Sequence, residues 1–430
     1  MRGLEEKQYS ERLDIGDSRI QSETIASREI IGQSPDIKFV VTDHNLRYPE
    51  NISLDQQRTL YAEMKHHGID SIRFDWDWKE IMPSAHGQNP QAISRYVQAM
   101  GIMKEVGMEP PVLVLSNPPD WAVQLYKTNK GEFFKAYSEY INLVGDSLHQ
   151  AGLGFNSAQI FNEINHVFLF KFVSLEDLSE ITKIAREGLS KAQSDVKLST
   201  SLIVSNVNDL LAKAKGLPTT SELLGQQKKM LKDNFDIVSL DYYPGVWHRP
   251  GFNPKKVYKQ LDAIKEVFVE LDRMGLDFEI GEVGFPSNEP YNTEKNQRYF
   301  YDVFFKEFRK MLADFKVAGV RLPQWVGLYE SQDEANVAFG GMAEKILSIP
   351  GVSKVTALAF NPEHDFGLEN KAGEAKGILK GRRAGPKQSF RRKKFKDISG
   401  EELSRLAEII RYVNRPFTKD EIESAKERSK

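Results

Sequence analysis

The chain has 430 residues, of which 40% are hydrophobic and 28% are charged, and its formal net charge is −2. This length accommodates one large domain with extensions, and the nearly balanced charge argues against a general nucleic-acid-binding or membrane-surface protein. The absence of cysteine excludes disulfides and thiolate metal sites. Because the first 30 residues lack an apolar signal core and no run of 18 apolar residues occurs, we expect a cytoplasmic protein, or a secreted one if a leader has been removed.

Short apolar, β-branched runs alternate with segments of helical period, which is typical of parallel βαβ units. The expected strands are residues 37–42, 70–75, 110–116, 157–162, 197–204, 235–241, 277–282 and 355–361. The first seven start 33 to 47 residues apart and the last interval is 78, which predicts an insertion at 317–353 before the eighth strand. Residues 320–328 are a competing eighth strand.

The expected fold is therefore a (β/α)8 TIM barrel. We assign residues 1–35 to an N-terminal lead-in, 36–380 to the catalytic barrel, and 381–430 to a basic linker with a helical C-terminal extension. Three apolar stripes at spacings of three and four predict helices that pack on the core. They are Val257, Leu261, Ile264, Val267, Phe268 and Leu271; Phe300, Val303, Phe304, Phe308, Met311, Leu312 and Phe315; and Leu403, Leu406, Ile409, Ile410 and Val413.

A basic stretch lies between Lys376 and Lys396, with ten Lys or Arg residues and no acid. It could bind an anionic surface or polymer. Because the whole chain is nearly neutral, we interpret it as a solvated linker that leads to a docking helix.

Two glutamates, each directly after a strand-like run, carry the functional interpretation. Glu163 lies in residues 159–165 (QIFNEIN) and Glu282 in residues 278–284 (FEIGEVG), 119 positions further on. That separation equals three strand–helix units of about 40 residues, so the two belong to the fourth and seventh strands. The C-terminal ends of the strands of such a barrel surround one active-site cleft, so side chains from distant strands can meet there. Two carboxyls about 5 to 5.5 Å apart cleave glycosides with retention of the anomeric configuration. The prediction is a retaining glycosidase with Glu163 as acid/base and Glu282 as nucleophile.

Three neighbouring groups fit these roles. Arg73, on the second strand, can hold Glu282 as the anion. Tyr242 or Tyr243, at the end of the sixth strand, can donate a hydrogen bond to it. Asn162 can hold a substrate hydroxyl in the transition state, where such bonds contribute several kcal/mol.

Several segments resemble the marker strands of clan A glycoside hydrolases, and the resemblance covers about residues 37–380. They are residues 119–122 (PDWA), 162–165 (NEIN), 236–244 (DIVSLDYYP), 280–287 (IGEVGFPS) and 366–376 (FGLENKAGEAK). The resemblance implies a barrel with the acid/base on strand four and the nucleophile on strand seven. Within the clan, the sequences of the sixth and seventh strands most resemble endo-β-1,4-galactanases and related β-glycanases. Many clan members carry a tryptophan at the end of strand eight, where this chain has Phe360 and Asn361.

Aromatic and acidic residues at the strand ends are the remaining candidates for sugar contact. Aromatic rings stack on the apolar faces of sugars, and polar groups at these positions bind hydroxyls. We expect substrate contacts from Trp76, Trp121, Trp247, Asp43 and Asp75, and we regard all five tryptophans, Trp78 and Trp325 included, as consistent with a sugar site. His166 and His248 are more simply structural hydrogen-bonding residues. The sequence predicts no cofactor, metal or nucleotide, and a carbohydrate as the partner.

Alternatives remain at this stage. Glu279 is a rival nucleophile, but strand alternation predicts that it faces the helices because it lies three residues before Glu282. Glu330 is another rival if the eighth strand is 320–328. A non-catalytic carbohydrate-binding barrel and a metal-dependent barrel hydrolase are the competing functions. The sugar, the linkage, exo or endo action and the oligomeric state are left open.

Overall fold

Eight parallel strands form a closed barrel in which each strand pairs with the next and β8 pairs with β1. The computed structural model describes residues 35, 37–42, 53–85, 87–165, 173–204, 209, 212–213, 219–225, 227–243, 254–284, 294–329, 407–408 and 410–429. The strands are β1 Lys38–Thr42, β2 Ser71–Asp75, β3 Val112–Leu115, β4 Ser157–Ile160, β5 Leu198–Ile203, β6 Ile237–Tyr242, β7 Asp277–Val283 and β8 Trp325–Tyr329. The predicted TIM barrel is confirmed.

Helices surround the barrel. They are α1 Leu54–His66, α2 Trp78–Ile81, α3 Pro90–Glu105, α4 Asp120–Thr128, α5 Lys130–Ala151, α6 Leu178–Leu189, α7 Thr220–Gly225, α8 Lys228–Asn234, α9 Pro254–Met274, α10 Glu294–Ala318 and α11 Lys419–Arg428. Local sequence sets several of their starts: Ser53 caps α1 in a capping box with Gln56, and Asn89 caps α3 just before a proline. In the described part of the chain, none of these helices is both long and apolar enough to span a bilayer.

The eighth strand was predicted at the wrong place. Residues 355–361 lie outside the described residues, whereas Trp325–Tyr329 pairs with β1 from Lys38 onwards and with β7 at Ile280. The barrel thus closes immediately after α10, as the competing interpretation of 320–328 anticipated, and no insertion precedes β8. Both runs are apolar enough for a strand, and only the pairing partners on either side decide which one closes a barrel.

The apolar stripes of α9 and α10 pack on the sheet as predicted. Phe268 of α9 stacks on Phe278 of β7 with 4.6 Å between ring centroids, and Phe304 of α10 lies 5.8 Å from Tyr242 of β6. Each of these side chains is fully buried. Burial of a large apolar side chain contributes about 1.5 to 3 kcal/mol, so the two stripes hold β6 and β7 firmly against the helices.

The C-terminal extension is fastened to the barrel by a buried arginine. Arg309 of α10 donates to the carbonyls of Val413 at 2.6 Å, Arg415 at 2.8 Å and Pro416 at 2.9 Å, and it pairs with Glu421 at 2.8 Å. Ile410 and Val413 of the third predicted stripe are buried, while Leu403, Leu406, Ile409 and the basic stretch from Lys376 to Lys396 lie outside the described residues.

A second contact ties the extension to the first strand. The Asn414 side chain accepts from the Ile37 amide at 2.7 Å and donates to the Ile37 carbonyl at 2.6 Å. The described end of the chain is therefore part of the barrel's outer layer.

Replacing Arg309 by Met should lower the free energy of unfolding by about 3 to 5 kcal/mol, because it leaves three buried or part-buried carbonyls without their donor and removes one of the two arginines that pair with Glu421. Urea denaturation followed by circular dichroism measures the change. The control is Arg411→Met, since Arg411 is exposed and, among the described residues, its side chain bonds the Ala407 carbonyl of its own segment. Equal stability of the two variants would contradict the proposed fastening.

Candidate functional site

A β-bulge in β7 decides which glutamates reach the barrel interior. Ser239 of β6 is opposite Glu279, but Asp241 is opposite Glu282, so Gly281 is an extra residue in β7. The bulge resets the alternation of side chains, and Glu279 and Glu282 both face inward. Glu279 is buried and accepts a hydrogen bond from Ser239, so the prediction that it faces the helices was wrong.

Glycine is required at the bulge. A Cβ atom on Gly281 would lie 2.8 Å from Asp241 Oδ1 and 2.9 Å from the Ser239 Cβ. Any other residue would therefore displace the β6 side chains that face the interior.

Glu282 is held by two donors at the C-terminal end of the barrel. Arg73 Nη1 lies 2.5 Å from Glu282 Oε1, and the Tyr243 hydroxyl donates to Glu282 Oε2. Arg73 and Glu282 are both buried, so their attraction is poorly screened. Of the two tyrosines predicted for this role, Tyr243 performs it. Tyr242 points outward into the Phe300 and Phe304 rings, and burial raises its pKa, so its predicted place in the site was wrong.

Glu163 follows β4 in a strained backbone conformation. Its φ is 51° and that of Phe161 is 58°, in the left-handed region that side chains with a Cβ rarely adopt. Such residues cost about 1 to 3 kcal/mol each and persist where the surroundings fix them. Here the Glu163 amide donates to Ser201 Oγ at 2.8 Å, and the Glu163 carboxyl is buried.

Burial raises the pKa of Glu163 well above its ordinary value, and the carboxyls of Asp241 and Glu282 raise it further, against the opposing effect of Arg73. These surroundings therefore favour the protonated form of the Glu163 carboxyl. Glu282, by contrast, is in direct contact with a cation. The two glutamates thus differ in their electrostatic surroundings: one is paired with an arginine, and the other lies beside further carboxyls.

Asn162, directly before Glu163 in the chain, accepts hydrogen bonds from three side chains of the barrel interior. Its Oδ1 accepts from Arg73 Nη2 at 3.2 Å, Gln159 Nε2 at 2.7 Å and Ser201 Oγ at 2.9 Å. Because an arginine can only donate, this contact fixes the orientation of the Asn162 amide. The NH2 group is then the part of the side chain that can donate to a ligand.

Three interior residues of the site were missed in the sequence analysis: Gln159, Ser201 and Asp241. Gln159 accepts from Arg73 Nη2 at 3.0 Å and donates to Ser201 Oγ at 3.1 Å. All three are fully buried in the strands of a parallel barrel. The strands of a parallel barrel are usually continuous apolar runs, so polar residues in the middle of a strand could have indicated these site residues in the sequence.

Arg73 is the cation that these carboxyls share. Burial acts to lower the pKa of Arg73, but the negative charges of Glu282, Asp241 and Asp75 outweigh it and raise that pKa.

Asp75 lies at the end of β2, is buried and accepts a hydrogen bond from Ser116 at 3.3 Å. It lines the interior, as alternation from Arg73 requires, and its predicted contact with substrate stays a prediction.

The tryptophans mostly pack rather than line the site. Trp76 is fully buried and stacks on Tyr96 at 5.1 Å, so its predicted contact with a sugar was wrong. The reason is alternation: Arg73 and Asp75 face inward, so the next residue faces the helices. Trp78 is likewise buried.

Trp325 and Trp121 occupy opposite ends of the barrel. Trp325 is the first residue of β8, at the N-terminal end of the barrel, and its ring centroid lies 5.4 Å from Lys38 Nζ. It is therefore at the opposite end of the barrel from Glu163 and Glu282. Trp121 follows β3 at the C-terminal end and is half-buried, with its Nε1 3.3 Å from the Met82 carbonyl. Trp121 remains a candidate for sugar contact.

Other residues named in the sequence analysis lie outside the described part of the chain: Asp43, His166, Trp247, His248, Glu330, Phe360 and Asn361. Asp77, two residues after β2, caps α2 by accepting from the Lys79 amide at 3.0 Å. Among the described residues, no group of three or more His, Cys, Asp or Glu side chains is arranged to hold a metal ion.

Solved structures share this fold at low sequence identity. GH5_18 from Streptomyces cattleya, in complex with GlcNAc, matches with a TM-score of 0.53 and 11% identity over 89% of this chain and 81% of that chain. The exo-β-1,4-mannosidase Op5Man5 from Opitutaceae bacterium strain TAV5 matches with a TM-score of 0.52 and 12% identity, covering 93% and 63%. A single-residue variant of GH5_18 from Bifidobacterium longum subsp. longum, in complex with Manb1-4GlcNAc, matches with a TM-score of 0.51 and 14% identity, covering 82% and 80%.

No family model matches the chain, and no curated protein is similar to it in sequence. At such low identities, the solved structures establish the barrel fold.

The raised pKa of Glu163 makes the stability of the fold depend on pH. Above about pH 4.3, the unfolded glutamate has lost a proton that the folded one retains, so the free energy of unfolding falls as pH rises toward the folded pKa. Glu163→Gln removes this dependence. The variant should gain stability over the wild type by up to about 1.4 kcal/mol per pH unit in that window.

Urea denaturation between about pH 5 and pH 8 measures the difference. Glu139→Gln is the matched control, because Glu139 lies on the outer side of α5, away from the carboxyls of the site. A gap between Glu163→Gln and the wild type that stays constant with pH would show that the folded protein does not retain this proton.

Proposed function

We propose that this protein is a retaining β-glycoside hydrolase that acts by double displacement, with Glu282 as nucleophile and Glu163 as acid/base. One observation carries the proposal: Glu282 is paired with Arg73 and Tyr243, while Glu163 is buried in the same network with a raised pKa. An ionised carboxylate beside a protonated carboxyl is the combination that this reaction needs.

In the first step, Glu282 attacks the anomeric carbon while Glu163 gives its proton to the departing glycosidic oxygen. The bond to the aglycone breaks and an ester forms between Glu282 and the sugar. In the second step, the Glu163 carboxylate takes a proton from water, whose oxygen attacks the anomeric carbon and releases Glu282. Both residues return to their starting states.

Asn162 and Arg73 support these steps. The Asn162 amide, oriented by Arg73 and Gln159, offers its NH2 group to a sugar hydroxyl beside the reacting carbon. Arg73 keeps Glu282 ionised for attack and stays beside the leaving carboxylate in the second step. Tyr243 restricts the Glu282 carboxylate to one orientation through the hydrogen bond to Oε2.

The substrate class is a β-linked saccharide bound at the C-terminal end of the barrel. The chain shares its fold with structures that include a β-1,4-mannosidase and an enzyme complexed with Manb1-4GlcNAc. A panel of aryl β-glycosides should therefore include the mannoside beside the glucoside and galactoside, together with Manβ1-4GlcNAc and β-1,4-galactan. The resemblance of the sixth- and seventh-strand segments to galactanases is the reason for the last of these.

Glu282→Gln should lower turnover by several orders of magnitude while the protein stays folded, because an amide cannot attack the anomeric carbon. In the wild type, a 2-deoxy-2-fluoro-glycosyl fluoride of the preferred sugar should label Glu282. Peptide mass spectrometry identifies the labelled residue. Glu139→Gln is the control for both measurements. Normal turnover of Glu282→Gln would refute its assignment, and a wild type that binds sugar without labelling or turnover would be a carbohydrate-binding barrel.

Glu163→Ala should lower kcat by about 10²- to 10⁴-fold on a substrate with a poor leaving group, where proton transfer is needed. The first step should be much less affected with a dinitrophenyl glycoside, whose leaving group departs without a proton. Added azide should then restore turnover and yield the β-glycosyl azide, since azide attacks without a general base. An α-configured azide product would contradict retention, and an equal loss on both substrates would contradict the acid role of Glu163.

A further inference from the structure

A third carboxyl lies inside the barrel next to the two glutamates. Asp241 is the last inward-facing residue of β6, is fully buried, and stands opposite Glu282 in the strand register. Its Oδ1 occupies the space that a Cβ on Gly281 would need, 2.8 Å away. The bulge that brings Glu282 into the site therefore also brings Asp241 against it.

Neither oxygen of Asp241 has a hydrogen-bond partner among the described residues. The Ser201 hydroxyl approaches it and lowers its pKa somewhat, but this hydroxyl directs its single proton to Asn162 Oδ1 at 2.9 Å. An ionised carboxylate in such a position would be destabilised, because burial removes its hydration and no hydrogen bond from the described residues replaces it. Burial and the charge of Glu282 accordingly raise the pKa of Asp241 well above its ordinary value.

The charged and titratable groups that face Asp241 come from several strands. Glu279 and Glu282 lie on β7, Arg73 on β2 and Glu163 after β4. The adjacent strand β5 presents serine hydroxyls on its inward face. Among the described residues, Arg73 thus interacts with the charges of five carboxyls, those of Asp241, Glu163, Glu279, Glu282 and Asp75.

We propose that Asp241 is a positioning residue that acts through Glu163. A negative charge on either of these two carboxyls opposes ionisation of the other, so Asp241 keeps the acid/base proton on Glu163 up to a higher pH. The inference rests on the proposed function and extends it to the residue that sets the alkaline limit of activity. It follows from the burial of both residues in the barrel interior, where Arg73 is already paired with Glu282.

Ionisation of this pair is coupled. Loss of a proton from Asp241 or Glu163 places one negative charge in the site, and the second proton then leaves at a higher pH. When Asp241 is replaced by a neutral residue, that opposition disappears and Glu163 loses its proton at lower pH. At low pH Asp241 and Glu163 are both neutral, so replacing Asp241 leaves the acidic limb of the pH profile of activity unchanged.

The test is the pH profile of kcat/KM for Asp241→Asn. The alkaline limb should move to lower pH by at least about one unit, because two unit charges within about 12 Å interact by that much or more at an effective dielectric constant near 20. The acidic limb should stay in place. A residue with a merely structural role would lower the whole profile without moving either limb, and that result would overturn the proposal, as would an unchanged profile.

Ser199→Ala is the matched control. Ser199 is buried on the inward face of β5 and its hydroxyl has no partner among the described residues, so its removal should move neither limb. Asp241→Ser is the second neutral variant and should shift the alkaline limb in the same direction if Asp241→Asn does not fold. Opposite shifts in the two neutral variants would refute the charge-based explanation.

A readout without substrate separates this inference from the proposed function. In protein labelled with ¹³C at the glutamate carboxyl, the Glu163 resonance is identified by its loss in Glu163→Gln. Its titration midpoint should fall in Asp241→Asn. By reciprocity, the midpoint of a buried aspartate should fall in Glu163→Gln. If the wild type hydrolyses no β-glycoside but these midpoints move, the assignment of Glu163 and Glu282 as catalytic residues fails and the coupling of Asp241 to Glu163 stands. If the wild type is active and the midpoints do not move, only the coupling of Asp241 to Glu163 fails.

Discussion

The site depends on one buried cation. Arg73 holds Glu282 at 2.5 Å and also bonds Gln159 and Asn162. Removing a buried arginine from such a network would leave carboxylates without a counter-charge, which costs several kcal/mol. The barrel interior around it is polar, with serine, glutamine and carboxyl groups where parallel barrels usually carry branched apolar residues. The surrounding aromatic and aliphatic shell therefore has to supply the stability that the interior does not.

Strain and charge are concentrated at the same end of the barrel. Asn117, Phe161 and Glu163 all have positive φ and all follow the C-terminal ends of β3 and β4. Backbone strain and buried carboxyls both destabilise the fold, and both lie where the candidate chemistry is placed. The packed stripes of α9 and α10 and the Arg309 contacts lie elsewhere in the molecule. Stability and the candidate chemistry are thus carried by different residues of one chain.

Seven of the strands could be predicted from the sequence because apolar runs at regular spacing are a local signal. The position of β8 could not, because it depends on pairing with β1 and β7. Arg73 and Tyr243 could be predicted as partners of Glu282 from their places at strand ends. Glu279 was misplaced because one extra residue, Gly281, reverses the alternation that sequence reasoning assumes. Trp76 was misplaced although the same alternation, counted from Arg73, would have turned it toward the helices.

The proposed mechanism keeps the charge around Arg73 constant. Before the reaction, Glu282 is the anion and Glu163 the acid; in the glycosyl-enzyme, Glu282 is a neutral ester and Glu163 has become the anion. Both carboxyls influence the same guanidinium, so the negative charge moves from one neighbour of Arg73 to the other without leaving its field. A buried site with one cation can therefore serve both steps without a second counter-ion, which is the physical reason that one arginine among several carboxyls suffices.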